Sequence, residues 1–187
     1  MSSNAQGGLY ALIGRNRYYS GYTAEPGVQI GFAEQCFNIA EGINRGWYAA
    51  GNATTKYEQG ITASMNFFGI NDAAAITAYL TQVDSIGNTV VAYKGNNADG
   101  LKQILEQRYL ALFQQAGLES YFHYRRTGVP AFAFGGPGTG NSGLIPRRFQ
   151  YPSSERDNNS SNYKTALSRQ FGNEDDNVND ELWISKN

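Results

Sequence analysis

The chain has 187 residues, which is long enough to bury one sizeable hydrophobic core. Its 15 basic and 16 acidic side chains nearly balance, and this excludes the basic footprint of a nucleic-acid-binding protein. No window approaches the ~18 apolar residues of a transmembrane helix, and the first residues lack the basic and apolar regions of a secretory leader, so we expect no signal peptide and no membrane anchor in the chain as given.

The first feature in chain order is a loop with three tyrosines beside an arginine and a glycine. Its residues are Arg17, Tyr18, Tyr19, Gly21 and Tyr22. Aromatic rings stack on the flat C–H faces of sugars, while arginine donates hydrogen bonds to sugar hydroxyls. The loop is therefore a candidate glycan-binding surface. The alternative is that its tyrosines pack the loop against the helical body.

Apolar spacing then predicts two long helices, at 32–46 and 55–69. The apolar face of the first contains Phe32, Cys36, Ile39, Ala40, Ile43 and Trp47, and Gly46 closes the helix. Thr55 and Glu58 are predicted to begin the second helix as a capping box. Two adjacent helices of this length form a hairpin of tetratricopeptide size, although no strict repeat is present.

Further helices are predicted downstream. Asp72 is expected to cap a short helix at 73–80, although the composition of that stretch would also tolerate a strand. After a loop, the longest helix begins near 97–99, bends or breaks at Gly117 and ends at Gly128. Across these helices the predicted core residues are Phe37, Ile43, Ile61, Met65, Leu105 and Leu112.

Beyond Pro130 the sequence becomes irregular. The glycine-rich stretch at 134–143 is predicted to be a surface loop. Its residues 136–140 read Gly-Pro-Gly-Thr-Gly but lack the lysine that a nucleotide-binding phosphate loop requires. The polar tail from Tyr151 is predicted to carry one short helix at 162–169.

The sequence offers no convincing catalytic constellation. Cys36 lies on an apolar helix face and is interpreted as a buried hydrophobe, and the single His123 is far from it along the chain. The acidic residues at 174–176 and at Asp180 and Glu181 lack the spacing of a calcium-binding loop and are interpreted as a solvated tail. We predict no catalytic residues, no cofactor and no metal.

Five segments, in order, resemble the C-terminal portion of the SusD/RagB-like proteins, in the branch described as starch-binding and outer-membrane-associated. They are FAEQCFNIAEGINRGW, KYEQGITASMNFFGI, QRYLALFQQAGLESYFHYRRTGVPAF, LIPRRFQYPSSERDNNSSNY and the late Leu-Trp at 182–183. The resemblance covers about residues 32 to 183. We interpret the pairs Arg125-Arg126 and Arg147-Arg148 within it as fold-defining, pairing with buried carbonyls or acids.

This resemblance implies an all-α fold of tetratricopeptide-like helical pairs with long irregular loops. We expect an irregular Gly/Tyr-rich segment at 1–31 and a helical domain at 32–187. Because family members are longer and begin with a lipoprotein signal, the chain is expected to be a C-terminal fragment or the product of a truncated reading frame.

The resemblance also implies a function. Family members are non-enzymatic, glycan-binding proteins of the outer-membrane surface in Bacteroidetes-type bacteria. They deliver oligosaccharides to a SusC-like TonB-dependent transporter. The predicted glycan-binding residues remain Arg17, Tyr18, Tyr19 and Tyr22, since no contact residue can be carried over from the family. The alternative function is a helical-repeat protein-interaction module without sugar affinity.

Overall fold

The computed structural model describes residues 7–8, 12–25, 27–133, 135 and 139–185. Within them the chain is helical, and its only bridge of β type is an isolated one between Val83 and Thr89. The predicted all-α class is confirmed. The helices are α1 (Arg15–Tyr18), α2 (Phe32–Asn44), α3 (Ala53–Phe67), α4 (Ala73–Leu80), α5 (Ala98–Ala111), α6 (Glu119–Thr127), α7 (Ser153–Asn158) and α8 (Ser160–Phe171), with 3₁₀ turns at Asn141–Gly143 and Trp183–Ser185.

Side-chain caps decide where the central helices begin. Asn52 caps α3 by accepting a hydrogen bond from the Thr55 amide at 3.2 Å, so the predicted capping box of Thr55 and Glu58 is wrong. Thr55 lies in the first turn of the helix, where its own N–H needs an acceptor. Asp72 caps α4 as predicted, and Asn97 is the cap of α5.

Glycines in the left-handed conformation end or interrupt two helices. Gly46, with φ of 73°, follows the last turn of α2, which ends at Asn44 and not at the predicted 46. Gly117, with φ of 52°, lies between α5 and α6 and confirms the predicted interruption. The C-terminal part of the predicted longest helix is therefore a separate helix.

The hydrophobic core forms where α2, α3 and α5 pack together. Its most buried members include Phe37, Tyr57 and Ile104, and the Tyr57 hydroxyl donates a hydrogen bond to the Val91 carbonyl at 2.8 Å. Of the six predicted core residues, Met65 is half-buried at the edge of this cluster and the other five are buried: Phe37, Ile43, Ile61, Leu105 and Leu112.

Two arginines of the predicted pairs hold distant segments together, as expected. Arg126 donates two hydrogen bonds, of 2.6 and 2.8 Å, to the buried carboxylate of Glu41. Arg148 is buried, forms an ion pair with Asp176 at 2.5 Å and lies over the Phe171 ring. Their sequence neighbours are more peripheral: Arg125 lies over the Tyr121 ring, and the exposed Arg147 reaches Glu181 at 3.4 Å.

Two glycines inside helices predict opposite effects of an added methyl group. In α3, a Cβ on Gly60 would lie 2.7 Å from ring atoms of the buried Phe37. In α2, a Cβ on Gly42 would meet its nearest neighbour, in Tyr48, at 3.9 Å, an ordinary contact. We expect Gly60→Ala to lower the free energy of unfolding by about 1–2 kcal/mol, because overpacking outweighs the gain in helix propensity.

The matched control, Gly42→Ala, should raise the free energy of unfolding by about 0.5–1 kcal/mol, since the helix gains alanine without a clash. Urea denaturation of both variants measures the two effects. Equal shifts in the same direction would contradict the close contact between α2 and α3.

Candidate functional site

The segment predicted as a tyrosine loop begins in helix α1, which contains Arg17 and Tyr18, so only its later residues form a loop. The segment, still called the tyrosine loop here, lies against the C-terminal end of α3, with Arg17 as its anchor. The Arg17 guanidinium donates hydrogen bonds to both carboxylate oxygens of Glu25, at 2.9 and 2.6 Å. Its central carbon lies 4.7 Å from the ring centre of Phe67 and 5.0 Å from that of Phe68. The hydrogen bonding to Glu25 raises the pKa of Arg17. Arg17 therefore fixes the loop on the helical body.

The three tyrosines of the loop differ in exposure. Tyr18 is half-buried, with its ring beside Arg17, and belongs to the anchor. Tyr19 is 68% exposed, and the side chain of Tyr22 is fully exposed. Arg17 and Tyr18 thus pack against the body, as the alternative interpretation predicts, whereas the rings of Tyr19 and Tyr22 face solvent. The glycan-binding role of these residues stays a prediction.

Two open grooves meet beside this anchored loop. Groove A, of about 740 Å³, runs between α2, α3 and the α5–α6 connection, and its lining includes Ile30, Phe32, Phe67, Arg108 and Phe122. Groove B, of about 780 Å³, lies on the other side of the same connection, and its lining includes Met65, Phe68, Tyr79, Gln107 and Phe113.

Gln115 links the grooves to the loop. Its side chain lines both grooves and donates a hydrogen bond of 3.1 Å to Glu25, the carboxylate that holds Arg17. In groove B, the amide of Gln107 donates to the Tyr79 hydroxyl at 2.9 Å. Aromatic rings and amides side by side suit a ligand that presents both C–H faces and hydroxyl groups.

A buried charged cluster lies at the base of groove A. Arg108 donates hydrogen bonds of 2.7 Å to Glu34 and to Glu119, and its other terminal nitrogen lies 2.6 Å from Nδ1 of His123. Burial, together with the charges of Arg108 and Arg126, lowers the pKa of His123 to about 4. The histidine is therefore neutral near pH 7 and accepts a hydrogen bond from Arg108. No local pattern in the sequence indicates this cluster, because Glu34 lies 74 positions before Arg108.

The other chemical candidates have structural roles. Cys36 is buried as predicted, and burial raises the pKa of its thiol, which disfavours the reactive thiolate. The interpretation of the C-terminal acidic residues as a solvated tail is wrong for Asp176, whose largely buried carboxylate pairs with the buried Arg148. It is also wrong for Asp180, one of whose carboxylate oxygens is buried. Among the side chains that the structure describes, no cluster of three or more His, Cys, Asp or Glu residues is suited to a metal ion.

The glycine-rich loop predicted at 134–143 is described only in part. Residues 134 and 136–138 lie outside the described residues, and these include most of the sequence that invites comparison with a phosphate loop.

Among the helices of the described ranges, none combines the length and the apolar character needed to cross a bilayer.

Comparison with known proteins gives consistent matches. A SusD-like family model, described as starch-binding and associating with the outer membrane, matches residues 6–152. A SusD homologue from Bacteroides fragilis NCTC 9343 shares 33% identity with a TM-score of 0.72, over 91% of this chain and 38% of its own. A second homologue from that strain shares 34% identity with a TM-score of 0.69, over 87% of this chain and 36% of its own.

A chitin-binding SusD homologue from Flavobacterium johnsoniae is 30% identical with a TM-score of 0.61, over 83% of this chain and 36% of its own. A search of curated proteins gave no significant match. The chain spans less than two fifths of the length of these three solved relatives.

Proposed function

The chain belongs to the SusD-like family, and from this premise we propose that it is a non-enzymatic glycan-binding component of an outer-membrane oligosaccharide uptake system. In this proposal it acts at the cell surface, where it works with a SusC-like TonB-dependent transporter. Support comes from the family description, which couples starch binding to the outer membrane, and from the likeness to a chitin-binding homologue. Starch and chitin are both chains of pyranose rings, and this is the ligand class that we propose.

The observation that carries the proposal is the exposure of Tyr19 and Tyr22 on an anchored loop. Arg17 and Glu25 hold the loop on α3, so both rings are presented with little further loss of conformational freedom on binding. A tyrosine ring supplies an apolar face and a hydroxyl together, which matches the alternating C–H faces and hydroxyls of a sugar. Grooves A and B are lined by Phe67 and Phe68 respectively, the rings on which Arg17 packs, and they offer room for further sugar rings.

One observation favours the alternative, a protein-interaction module. Leu110 and Phe113 in groove B and Leu118 in groove A are each more than half exposed. Apolar side chains of this size bury well against another polypeptide, and the two leucines gain little from a sugar. The two functions are distinguished by whether the chain binds oligosaccharides directly.

Removing either exposed ring of the loop should weaken glycan binding. We expect Tyr19→Ala and Tyr22→Ala each to cost about 0.5–1.5 kcal/mol of binding free energy, because aromatic stacking contributes on that scale. Calorimetric titration with maltohexaose and chitohexaose measures the effect. Tyr22→Phe is the matched control, since it keeps the ring and should retain most of the affinity.

Three outcomes separate the alternatives. Full affinity in both alanine variants would place the sugar away from the loop. Failure of the unsubstituted chain to bind any oligosaccharide, together with saturable binding of peptides, would support the interaction module. Equal losses in Tyr22→Ala and Tyr22→Phe would mean that the hydroxyl group, and not stacking, makes the contact.

A further inference from the structure

A second exposed aromatic surface lies at the C-terminal end of α2, in residues 45–48. Trp47 is 71% exposed and its neighbour Tyr48 is 53% exposed. Large aromatic side chains usually bury most of their area, and two consecutive exposed rings leave a large apolar area in water. Neither residue belongs to the tyrosine loop or lines groove A or groove B.

A hydrogen-bonded turn fixes these two rings relative to α2. The amides of Trp47 and Tyr48 both donate to the Gly42 carbonyl, at 2.9 and 3.1 Å, and the Gly46 amide donates to the Ile43 carbonyl at 3.0 Å. Gly46 allows this turn because it adopts the left-handed conformation, with φ of 73°. The rings therefore project from a defined backbone.

The ring of Trp47 is held from one side by Arg45. The central guanidinium carbon of Arg45 lies 5.1 Å from the ring centre, within the range of a cation–π contact. Because Trp47 is still 71% exposed, the opposite face of its indole is open to solvent. One face is thus oriented by the protein and the other is free to take a ligand.

A buried carboxylate holds Arg45 in place. Arg45 donates from Nε to Glu41 at 2.8 Å, and Glu41, which is 4% exposed, also accepts two hydrogen bonds from Arg126. Burial alone would raise the pKa of Glu41, but its hydrogen bonds and ion pairs with Arg126 and Arg45 outweigh this and lower it, so the carboxylate is charged. Within the described part of the chain, the two terminal nitrogens of Arg45 have no hydrogen-bond partner and can donate to a ligand.

We propose that Trp47, Tyr48 and Arg45 form a second stacking platform, which binds a pyranose ring of a neutral oligosaccharide. The C–H face of the sugar would lie on the free face of Trp47, and the guanidinium of Arg45 would donate to its hydroxyls. This inference rests on the proposed function but concerns a different surface.

The sequence that carries the platform favours a sugar over a peptide. Residues 44–52 read NRGWYAAGN and, apart from the two rings, contain no apolar side chain larger than alanine. A protein-binding hot spot usually lies in a desolvated pocket with apolar packing around it. Rings interspersed with small and polar residues match a ligand that alternates C–H faces with hydroxyls.

Tryptophan fluorescence tests the platform directly, because the chain has only two tryptophans. Trp183, which is 78% exposed, is the matched control for Trp47. In Trp183→Phe, titration with maltohexaose or chitohexaose should shift the emission of Trp47 to shorter wavelength, with saturation at the affinity found by calorimetry. In Trp47→Phe, the emission of Trp183 should not respond to the same sugars.

Substitutions give an independent measure of the platform. Trp47→Ala should weaken oligosaccharide binding about 3- to 10-fold, the effect expected for one stacked ring. Trp47→Phe should lose less affinity for the oligosaccharide, because phenylalanine keeps an aromatic face. Far-UV circular dichroism and the urea midpoint confirm that each variant is folded.

The outcomes distinguish this inference from the proposed function. If the chain binds sugar by calorimetry while Trp47 emission is unchanged and Trp47→Ala retains full affinity, the platform is refuted and the proposed function stands. If the unsubstituted chain binds neither maltohexaose nor chitohexaose, the platform and the proposed function are both contradicted. A Trp47 response to peptides but not to sugars would also overturn the platform.

Discussion

Replacement of Phe37 by alanine should lower the free energy of unfolding by about 3–5 kcal/mol. The side chain is completely buried at the meeting point of α2, α3 and α5, and its ring packs edge-on against Tyr57 with ring centres 6.3 Å apart. Gly60 also lies close to the Phe37 ring. Removal of that ring therefore leaves a cavity that the surrounding helices cannot fill without moving. Urea denaturation followed by circular dichroism measures the loss.

Phe32 provides the matched control for this substitution. It lies earlier on the same helix but is 64% exposed, so Phe32→Ala should change the free energy of unfolding by less than about 0.5 kcal/mol. Similar losses in the two variants would show that α2 does not bury Phe37 in preference to Phe32. That result would contradict the packing described for the core.

The second large effect is a loss of stability in mild acid, caused by His123. Burial and the charges of Arg108 and Arg126 lower its pKa to about 4 in the folded protein, whereas its ordinary value is 6.5. Well above pH 6.5 the histidine is neutral in both states and contributes no pH dependence. Between pH 6.5 and 4 the unfolded chain binds a proton that the folded chain excludes. The free energy of unfolding should therefore fall by about 2 kcal/mol between pH 7 and pH 5.

His123→Gln isolates this contribution. A glutamine keeps an acceptor for Arg108 but does not titrate, so the fall between pH 7 and 5 should be much smaller than in the unsubstituted chain. Urea denaturation at pH 7, 6 and 5 gives the slope of the free energy of unfolding against pH for the variant and for the unsubstituted chain. Identical slopes would assign the acid sensitivity to another group. The window ends at pH 5 because carboxylates of the unfolded chain begin to titrate below it.

Helix positions are largely predictable because their signals are local. The start of α2 at Phe32 and both ends of α4 follow from apolar spacing and from the cap at Asp72. The predicted start of α3 is two residues late because Asn52, and not Thr55, is its cap. In the tail, α8 is longer than the predicted helix at 162–169. Apolar spacing does not predict α7, because its sequence SSERDN has no apolar period.

Long-range ion pairs and exposure cannot be predicted in the same way. Glu41 and Arg126 lie 85 positions apart, and only the packing of α2 near α6 brings them together. The spacing of Trp47 fits a helical period and predicts a place on the buried face of the first helix. The helix ends at Asn44, so the turn at Gly46 carries Trp47 out of that face and into solvent. A glycine directly before the tryptophan is the local signal for this turn.

The attachment of the tail by Arg147 and Arg148 has a consequence for hydrogen exchange. Both of their amides donate to the Val178 carbonyl, at 2.8 and 3.1 Å, while Asp176 pairs with the Arg148 side chain and accepts from the Tyr151 amide at 2.9 Å. The acceptors of these three amides lie in one short returning segment, residues 176–178, so we expect the amides to lose protection in a single opening event. We therefore expect hydrogen exchange of these amides to give one common opening free energy, distinct from that of the helical core.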